Sequence, residues 1–306
     1  MSRAVASAVV LCLAASAAAK EGYNVWAKER IRYQKERVQK DPYNPELRVL
    51  LANAYFEDQS YAMAAGQLEE ALELEPGYAE AHCNLGVVRH AQARIAEAEE
   101  HYRRALEQDS TMVEALAGLG TLLCATGEQG EGIGYLERTL RLDPGRDDAR
   151  YNLGVAYHRV QDYRRSISHL ESLVERRADH PGARRALSQS YFARGLTLLE
   201  AGHPRQSIAF FHRSFALREH ADVIYAEGVA YLRLEDLASA RKAFAAAVGL
   251  DSLHVPAIHN LAYVLDRSGR PEEAERWYQL EARLTPQLHR IEAARNAEYD
   301  DSYLFE

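Results

Sequence analysis

A period of 34 residues runs through most of this 306-residue chain, and it limits the possible folds more than any other feature. The motif Asn-Leu-Gly occurs at 84–86 and again two periods later at 152–154, and Asn-Leu-Ala occurs at 260–262. With a frame that starts at Pro45, small residues recur at position 8 of four successive windows: Ala52, Gly86, Gly120 and Gly154. A chain of this kind stacks copies of one short unit, so its length does not imply the two domains that about 100 to 200 residues per domain would suggest.

Two further positions of the frame repeat the same types of residue. Position 20 is small in each of the four windows (Ala64, Ala98, Gly132 and Ser166), and position 24 is large and apolar (Leu68, Tyr102, Leu136 and Leu170). Within a window the apolar residues follow at steps of three, four and seven, which predicts two amphipathic helices. The small residues at positions 8 and 20 allow these helices to approach to about 8 to 10 Å.

This pattern resembles the tetratricopeptide repeat family, whose units are helix-turn-helix hairpins of this length. The resemblance implies an all-α fold, a right-handed α-solenoid of about seven repeats with capping helices, in which each repeat is stabilised by its neighbours. The predicted repeats are 45–78, 79–112, 113–146, 147–180, 188–220, 221–254 and 255–288, with 181–187 inserted. Residues 20–44 are expected to form an N-terminal capping helix, with a helix over 24–40, and residues 289–306 to form the C-terminal helix end and an acidic tail.

Glycine and proline predict where the helices end. A residue of positive φ is expected at position 15, which is Gly127, Gly202 and Gly269 in three repeats, and proline at position 32 (Pro76, Pro144 and Pro286) is expected to end the second helix. The insertion 181–187 is interpreted as a lengthened first helix of the fifth repeat, beginning after Gly182. It is either a tolerated surface insertion or a joint between blocks of four and three repeats.

Three glycines, at 130, 132 and 134, lie at the start of the second helix of the third repeat. Each lowers helix stability by up to about 1 kcal/mol relative to Ala. This helix is therefore predicted to be the least stable of the array.

Residues 1–19 have the organisation of a cleavable secretory signal peptide. Arg3 precedes an apolar stretch from Ala4 to Ala15, and small residues follow up to Ala19. A short N-terminal anchor helix is the alternative, although the apolar run is below the roughly 18 residues of a membrane span. Leu11 before Cys12 is unlike a bacterial lipoprotein signal. We expect an exported protein without an integral membrane span after cleavage; tethering by an uncleaved N-terminal segment is the alternative.

The composition indicates where the protein is located and argues against one class of partner. Richness in Ala and Arg with few Lys is associated with GC-rich bacterial genomes, so a periplasmic location is expected. The formal net charge is -8, and residues 20–44 have seven basic against four acidic residues, which leaves -12 for residues 45–306. Such a chain has no basic excess for nucleic acid. The basic N-terminal helix is interpreted as a solvating helix or, alternatively, as a helix that lies on a membrane surface.

Catalytic, nucleotide-binding and haem motifs are absent, so we expect a non-enzymatic protein without a cofactor. His90, Cys124 and His158 share position 12 and are soft metal ligands, but equivalent positions of stacked repeats are too far apart to bind one ion, so no metal site is expected. The same geometry keeps Cys83 and Cys124 apart, which predicts two free thiols.

The first helix of each repeat forms the concave face in this family, and it carries the candidate peptide-binding residues. Asn at position 6 (Asn84, Asn152 and Asn260) offers a donor and an acceptor to an extended peptide, although Asn also belongs to the common pattern of the family. Aromatic residues at position 5 (Tyr151, Phe192 and Tyr225) suit an apolar anchor of a partner or, alternatively, packing within the array. Position 2 is acidic in Glu46, Glu80, Glu114, Asp148 and Asp222, which favours the helix dipole.

Together these features predict an exported, non-catalytic scaffold that binds a protein or an extended peptide in its concave groove, for complex assembly in the cell envelope. The alternative is a structural homo-oligomer that is assembled through the tail or the basic N-terminal helix. The tail itself is expected to be a disordered segment or, alternatively, a docking motif or a self-inhibiting insert for the groove.

Overall fold

The computed structural model of the protein describes residues 17–180 and 182–298, with side chains from Trp26 to Pro286. All regular secondary structure of these residues is α-helical, which confirms the all-α prediction. Residues 1–16 of the predicted signal peptide, Pro181 of the insertion and residues 299–306 of the predicted tail lie outside the described residues.

Fifteen helices follow one another in the described part of the chain. They are α1 (Ala17–Lys40), α2 (Pro45–Glu57), α3 (Tyr61–Leu74), α4 (Ala79–Ala91), α5 (Ile95–Gln108), α6 (Val113–Thr126), α7 (Gln129–Leu142), α8 (Asp147–Arg159), α9 (Tyr163–Arg176), α10 (Ala183–Glu200), α11 (Pro204–Leu217), α12 (Ala221–Arg233), α13 (Leu237–Leu250), α14 (Val255–Arg267) and α15 (Pro271–Glu298).

From α2 onward the helices form pairs that are joined by short turns. The first helices α2, α4, α6 and α8 begin at Pro45, Ala79, Val113 and Asp147, at intervals of 34 residues. Helix α10 begins directly after Gly182 and has 18 residues, against 13 in α8 and α12, so the inserted residues lengthen a first helix. Helix α1 begins at Ala17, seven residues before the predicted start at Asn24.

The turn between the two helices of a pair uses a left-handed residue. Gly127, Gly202 and Gly269 have φ values of 104°, 80° and 73°, which confirms the prediction of positive φ at these glycines. The same position in the other four turns holds residues with a Cβ at φ values of 59° to 62°: Gln59, Ala93, Gln161 and Glu235. The turn geometry is therefore set by the packing of the two helices, because it persists where the residue disfavours it.

Two of the prolines stand where the second helix has ended, and the third does not. Pro76 and Pro144 follow α3 and α7 by two residues. Pro286 lies inside α15, so the prediction that it ends this helix was wrong. A proline removes one backbone hydrogen-bond donor, but most of the other hydrogen bonds of the helix remain. In the described part of the chain no further helix follows α15, so no turn is required at Pro286.

The described residues form two compact units, which divide between Ala149 and Arg150 within α8. In the first unit, Tyr102 of α5 is fully buried against two glycines of neighbouring helices. A Cβ atom added at Gly86 would lie 2.8 Å from the Tyr102 ring, and one added at Gly118 would lie 2.7 Å from it. The small residues of the repeat are thus the sites where a large side chain of the adjoining helix fits.

The second unit packs its helix pairs in the same way. Phe211 and Phe244 are fully buried, and Cβ atoms added at Gly195 and Gly228 would lie 2.5 Å and 2.6 Å from their rings. Buried serines add polar contacts between helices: the hydroxyls of Ser188 and Ser214 lie 3.0 Å apart, between α10 and α11. The core of each unit therefore depends on close approach between helices rather than on large apolar side chains alone.

Within each unit the first helices also contact one another. Helix α4 contacts both α2 and α6 in the first unit, and α10 contacts α12 in the second. No contact of comparable extent joins α3 to α5 or α5 to α7 in the part of the chain that the structure describes. The first helices therefore lie on the inner side of each unit, and the second helices lie on the outer side.

Candidate functional site

The inner side of the first unit carries a pair of asparagines on adjacent first helices. Nδ2 of Asn84, on α4, donates a hydrogen bond to Oδ1 of Asn53, on α2, over 3.2 Å. Both side chains are half-buried. Among the described residues, Oδ1 of Asn84 and Nδ2 of Asn53 have no protein partner, so the pair keeps both an acceptor and a donor for a ligand.

The inner side of the second unit carries an equivalent polar contact between an asparagine and a tyrosine. Nδ2 of Asn260, on α14, donates to the hydroxyl of Tyr225, on α12, over 3.2 Å. Both residues are half-buried. Asn152, the third predicted asparagine, is also half-buried and lies on the first helix α8.

The three predicted aromatic residues pack against other rings of the second unit. The centroid of the Tyr151 ring lies 4.9 Å from that of His180, and the Phe192 ring lies 6.0 Å from that of Phe211. Tyr225 lies between Phe244 at 5.8 Å and His254 at 4.9 Å. Each of the three residues is half-buried, so part of its surface remains accessible while the rest belongs to the packing of its unit.

Acidic residues surround Tyr78 where the first helices α2 and α4 begin. A shallow cavity of about 440 Å³ is lined by Tyr43, Glu46, Glu75 and Tyr78, among others. Burial, with Glu80 and Glu46 beside it, raises the pKa of Tyr78 to about 12. Burial also raises the pKa of Glu80, and the carboxylates of Glu46 and Glu114 add to this. Negative charge is therefore concentrated at this edge of the first unit.

The two histidines and the one cysteine at position 12 have separate surroundings. His90 is exposed and Cys124 is buried in the first unit, whereas Nδ1 of His158 lies 3.0 Å from the hydroxyl of Ser190 in the second. No group of three or more potential ligands that could hold a metal ion occurs among the described residues. Cys83 and Cys124 are buried thiols, and burial raises the pKa of Cys83 to about 12.

Two features of the first unit were missed in the sequence. Asn53 lies at position 9 of its repeat, one of the positions of the concave face, so the frame could have identified it. The second feature is the pair His82 and His101, whose rings stack with centroids 5.5 Å apart between α4 and α5. These histidines stand at positions 4 and 23, which the repeat pattern does not mark, so the sequence contained no signal that they would meet.

None of the helices in the described part of the chain is both long enough and apolar enough to cross a membrane.

Family models match most of the repeat region. A tetratricopeptide repeat model matches residues 49–113, 192–255 and 225–289, which together exceed half of the chain, and a second tetratricopeptide repeat model matches 148–180. The predicted resemblance to this family is thereby confirmed. No curated protein matches the sequence.

Solved structures are similar to this chain at low sequence identity, and the first of them shows the same fold. The C-terminal part of a tetratricopeptide repeat protein from Cytophaga hutchinsonii is 17% identical, with a TM-score of 0.55, and the match covers 79% of this chain and 96% of that one. A tetratricopeptide repeat protein from Parabacteroides merdae is 16% identical, with a TM-score of 0.46 and coverage of 79% and 93%. YrrB, a repeat protein with an unusual peptide-binding site, is 19% identical, with a TM-score of 0.44 and coverage of 74% and 96%.

Proposed function

Because the chain belongs to the tetratricopeptide repeat family, we propose that it is a non-catalytic scaffold that binds an extended segment of a partner protein on the inner side of its first helices. The observation that carries the proposal is the contact between Asn84 and Asn53. It holds two amide groups of neighbouring helices in one orientation while leaving a donor and an acceptor unused.

An extended peptide presents one N–H and one C=O per residue, and it needs partners that do not depend on its side chains. The unused Oδ1 of Asn84 can accept from a peptide N–H, and the unused Nδ2 of Asn53 can donate to a peptide carbonyl. Because each amide is fixed by the other, little side-chain freedom is lost when a peptide binds.

In the second unit we assign contact with the bound segment to Asn260, which Tyr225 fixes, and to Asn152. The accessible parts of three side chains would contact apolar side chains of the bound segment: Tyr151, Phe192 and Tyr225. Their packing within the unit supports this assignment, since rings that are already ordered make contact at a low cost in conformational entropy.

Export to the periplasm and assembly of complexes in the cell envelope belong to the same proposal. The support is the organisation of residues 1–19, with Arg3, an apolar stretch and small residues before Lys20. The N-terminal sequence of the protein recovered from its native cell envelope tests cleavage directly. A mature protein that begins near Lys20 is expected, and an uncleaved chain would favour the membrane-tethered alternative.

A photo-reactive residue introduced in place of Val87 tests the location of the binding surface. Val87 lies three residues after Asn84 and therefore on the same side of α4, whereas Glu107 is exposed on the outer helix α5 and serves as the control position. Irradiation in the native envelope is expected to cross-link a partner to position 87 and not to position 107. Cross-linking at position 107 alone would contradict the proposal.

The partner that position 87 captures then provides a quantitative test with the purified protein. Asn53→Ala and Asn84→Ala are each expected to weaken its binding about fivefold, because each removes one hydrogen bond of about 1 kcal/mol. Gln108→Ala, an exposed amide on the outer helix α5, is the matched control and should bind as the wild type does. Unchanged affinity in both asparagine variants, with unchanged thermal stability, would exclude the asparagine pair as the binding site.

The alternative of a structural homo-oligomer is favoured by one observation, the opposite net charges of residues 20–44 and 45–306. Light scattering on the full-length protein and on a variant without residues 299–306 separates the two functions. A monomer in both samples would exclude a homo-oligomer assembled through the tail or through the N-terminal helix.

A further inference from the structure

The most exposed aromatic side chains of the described residues lie close together in the sequence. Trp26, Tyr33 and Tyr43 are 69%, 59% and 80% exposed, and the next aromatic ring in this ranking, Tyr263, is 38% exposed. Trp26 and Tyr33 lie on α1, and Tyr43 lies in the turn that follows it. Single exposed aromatic side chains are common, but three of them within 18 residues of the chain indicate a surface for interaction.

Trp26 and Tyr33 share one face of α1 with basic residues. The positions 26, 30, 33 and 37 follow steps of four, three and four, so they line up along the helix. The guanidinium carbon of Arg37 lies 5.8 Å from the centroid of the Tyr33 ring. Arg30 forms an ion pair with Glu57 of α2, which fixes the helix to the rest of the unit.

A different face of α1 accounts for its packing on the first unit. Ala27 is 3% exposed, and Ile31 and Val38 pack against the core cluster of α2, α3 and α4. The core therefore does not need Trp26 or Tyr33, and their exposure is not a consequence of poor packing. Residues 26–40 contain six basic side chains and two acidic ones, Glu29 and Glu36, so this part of α1 carries a net charge of +4.

We propose that the face of α1 around Trp26 and Tyr33 binds an anionic lipid surface. Tryptophan and tyrosine are the side chains that enter the boundary between lipid headgroups and acyl chains, and lysine and arginine beside them are attracted to anionic headgroups. Residues 45–306 carry a net charge of -12 and are repelled by such a surface, so contact is limited to α1.

The position of α1 in the chain favours a lipid surface over another polyanion. It directly follows residues 1–19, whose apolar stretch ends at Ala15, so α1 would lie beside the membrane until the predicted signal peptide is cleaved. The surface does not depend on that stretch, however, because Trp26, Tyr33 and the basic residues remain in a chain that begins at Lys20.

Trp26 is itself a probe for the test, since the chain has only two tryptophans. In the chain from Lys20 to Glu306, Trp277→Phe leaves Trp26 as the single tryptophan; Trp277 is half-buried, and phenylalanine keeps an aromatic ring there. On addition of vesicles of phosphatidylcholine and phosphatidylglycerol, its emission should shift to shorter wavelength and become protected from a soluble quencher. Pure phosphatidylcholine vesicles should leave the emission nearly unchanged, and salt should reverse the effect.

Substitutions on α1 should weaken vesicle binding, which is measured by co-sedimentation. Trp26→Ala with Tyr33→Ala is expected to lower the partition coefficient more than tenfold, and Arg37→Gln with Lys40→Gln, on the same face of α1, to lower it roughly tenfold. Tyr263→Ala and Arg184→Gln with Arg185→Gln, which change exposed residues of α14 and α10, are the matched controls and should bind as before. Circular dichroism confirms that each variant is folded.

Three outcomes would overturn the proposal. The first is an emission of Trp26 that does not respond to anionic vesicles at low salt. The second is vesicle binding that the α1 variants and the controls weaken equally. The third is binding of α1 to an acidic polypeptide or to single-stranded nucleic acid in the absence of any binding to vesicles.

Discussion

Nδ1 of His82 and Nδ1 of His101 lie 3.2 Å apart in the first unit, between α4 and α5. Nε2 of His82 is 3.1 Å from the carbonyl oxygen of Pro76 and donates to it, so Nδ1 of His82 is the acceptor of a hydrogen bond from His101. Burial lowers the pKa of both rings, and the pKa of His101 falls to about 4, with the charge of His82 as the next contribution. The contact therefore favours the state in which both rings are neutral.

This contact predicts a stability that decreases with acid. In the unfolded chain histidine titrates near its ordinary pKa of about 6.5, whereas in the folded chain the pKa of His101 is about 4. Between these values the unfolded state binds more protons, so the stabilisation is complete above about pH 6.5 and is lost as pH falls towards 4. Glu100 and Glu107 oppose the effect, while Arg104 and Arg89 increase it.

His101→Gln should remove much of this pH dependence, because the amide keeps a donor for His82 but does not titrate. From pH 7 to pH 4.5, the free energy of unfolding of the wild type should fall by about 1 to 2 kcal/mol more than that of the variant, allowing for the partial exposure of His101. Urea unfolding of both proteins at several pH values measures this difference. The exposed His90→Gln is the control; an equal change of slope in both variants would refute the assignment.

Alanine substitutions at the three glycines of α7 are predicted to change the free energy of unfolding in different directions. A Cβ added at Gly130 or Gly134 meets no atom within 4 Å, so each substitution should stabilise the protein by about 0.5 to 1 kcal/mol through helix propensity alone. A Cβ added at Gly132 would lie 2.6 Å from Sγ of Cys124 and 2.8 Å from the carbonyl oxygen of Gly120. Gly132→Ala should therefore destabilise it by about 1 to 3 kcal/mol.

Hydrogen exchange complements this measurement, because it reports the local stability of each helix. In the wild type the amides of α7 should exchange faster than those of α5, which contains no glycine. Gly130→Ala with Gly134→Ala should slow the exchange in α7. Equal protection of α5 and α7 in the wild type would contradict the prediction that α7 is the least stable helix.

Substitutions at two left-handed turn residues are predicted to have opposite effects on stability. Ala93 has φ of 59°, a conformation that disfavours a Cβ, so Ala93→Gly should stabilise the first unit by about 0.5 kcal/mol once the greater freedom of glycine in the unfolded chain is subtracted. Gly127 has φ of 104° with open space around it, so Gly127→Ala should destabilise by about 1 kcal/mol through backbone strain only. Thermal unfolding of both variants tests the two signs together.

The buried thiols should be unreactive in the folded protein. Burial raises the pKa of Cys83 to about 12, so almost no thiolate is present at neutral pH, and Cys124 is also buried. In the chain that starts at Lys20, a thiol reagent should modify neither cysteine rapidly in buffer and both after unfolding in urea without reductant. A protein that reacts with fewer than two equivalents in urea would show that the cysteines had been oxidised.

Short-range pattern explains which features of the fold were predictable. Steps of three, four and seven residues specify a helix locally, and the 34-residue interval repeats the specification, so α2 to α9 could be expected from the sequence. Positive φ at Gly127 was predictable because glycine is the residue that permits it. At Gln59 and Ala93 only the repeat frame indicated this conformation, because helix packing imposes it against the preference of the residue itself.

The sequence by itself determined the helical repeat, the positions of the small residues and the division of charge between residues 20–44 and 45–306. Only the tertiary structure decided which polar side chains meet: Asn84 with Asn53, Asn260 with the hydroxyl of Tyr225, and His82 with His101. It also left Trp26 and Tyr33 in water. The physical reason is that helix periodicity depends on neighbours within a few residues, whereas these contacts depend on the angle and distance at which separate helices pack.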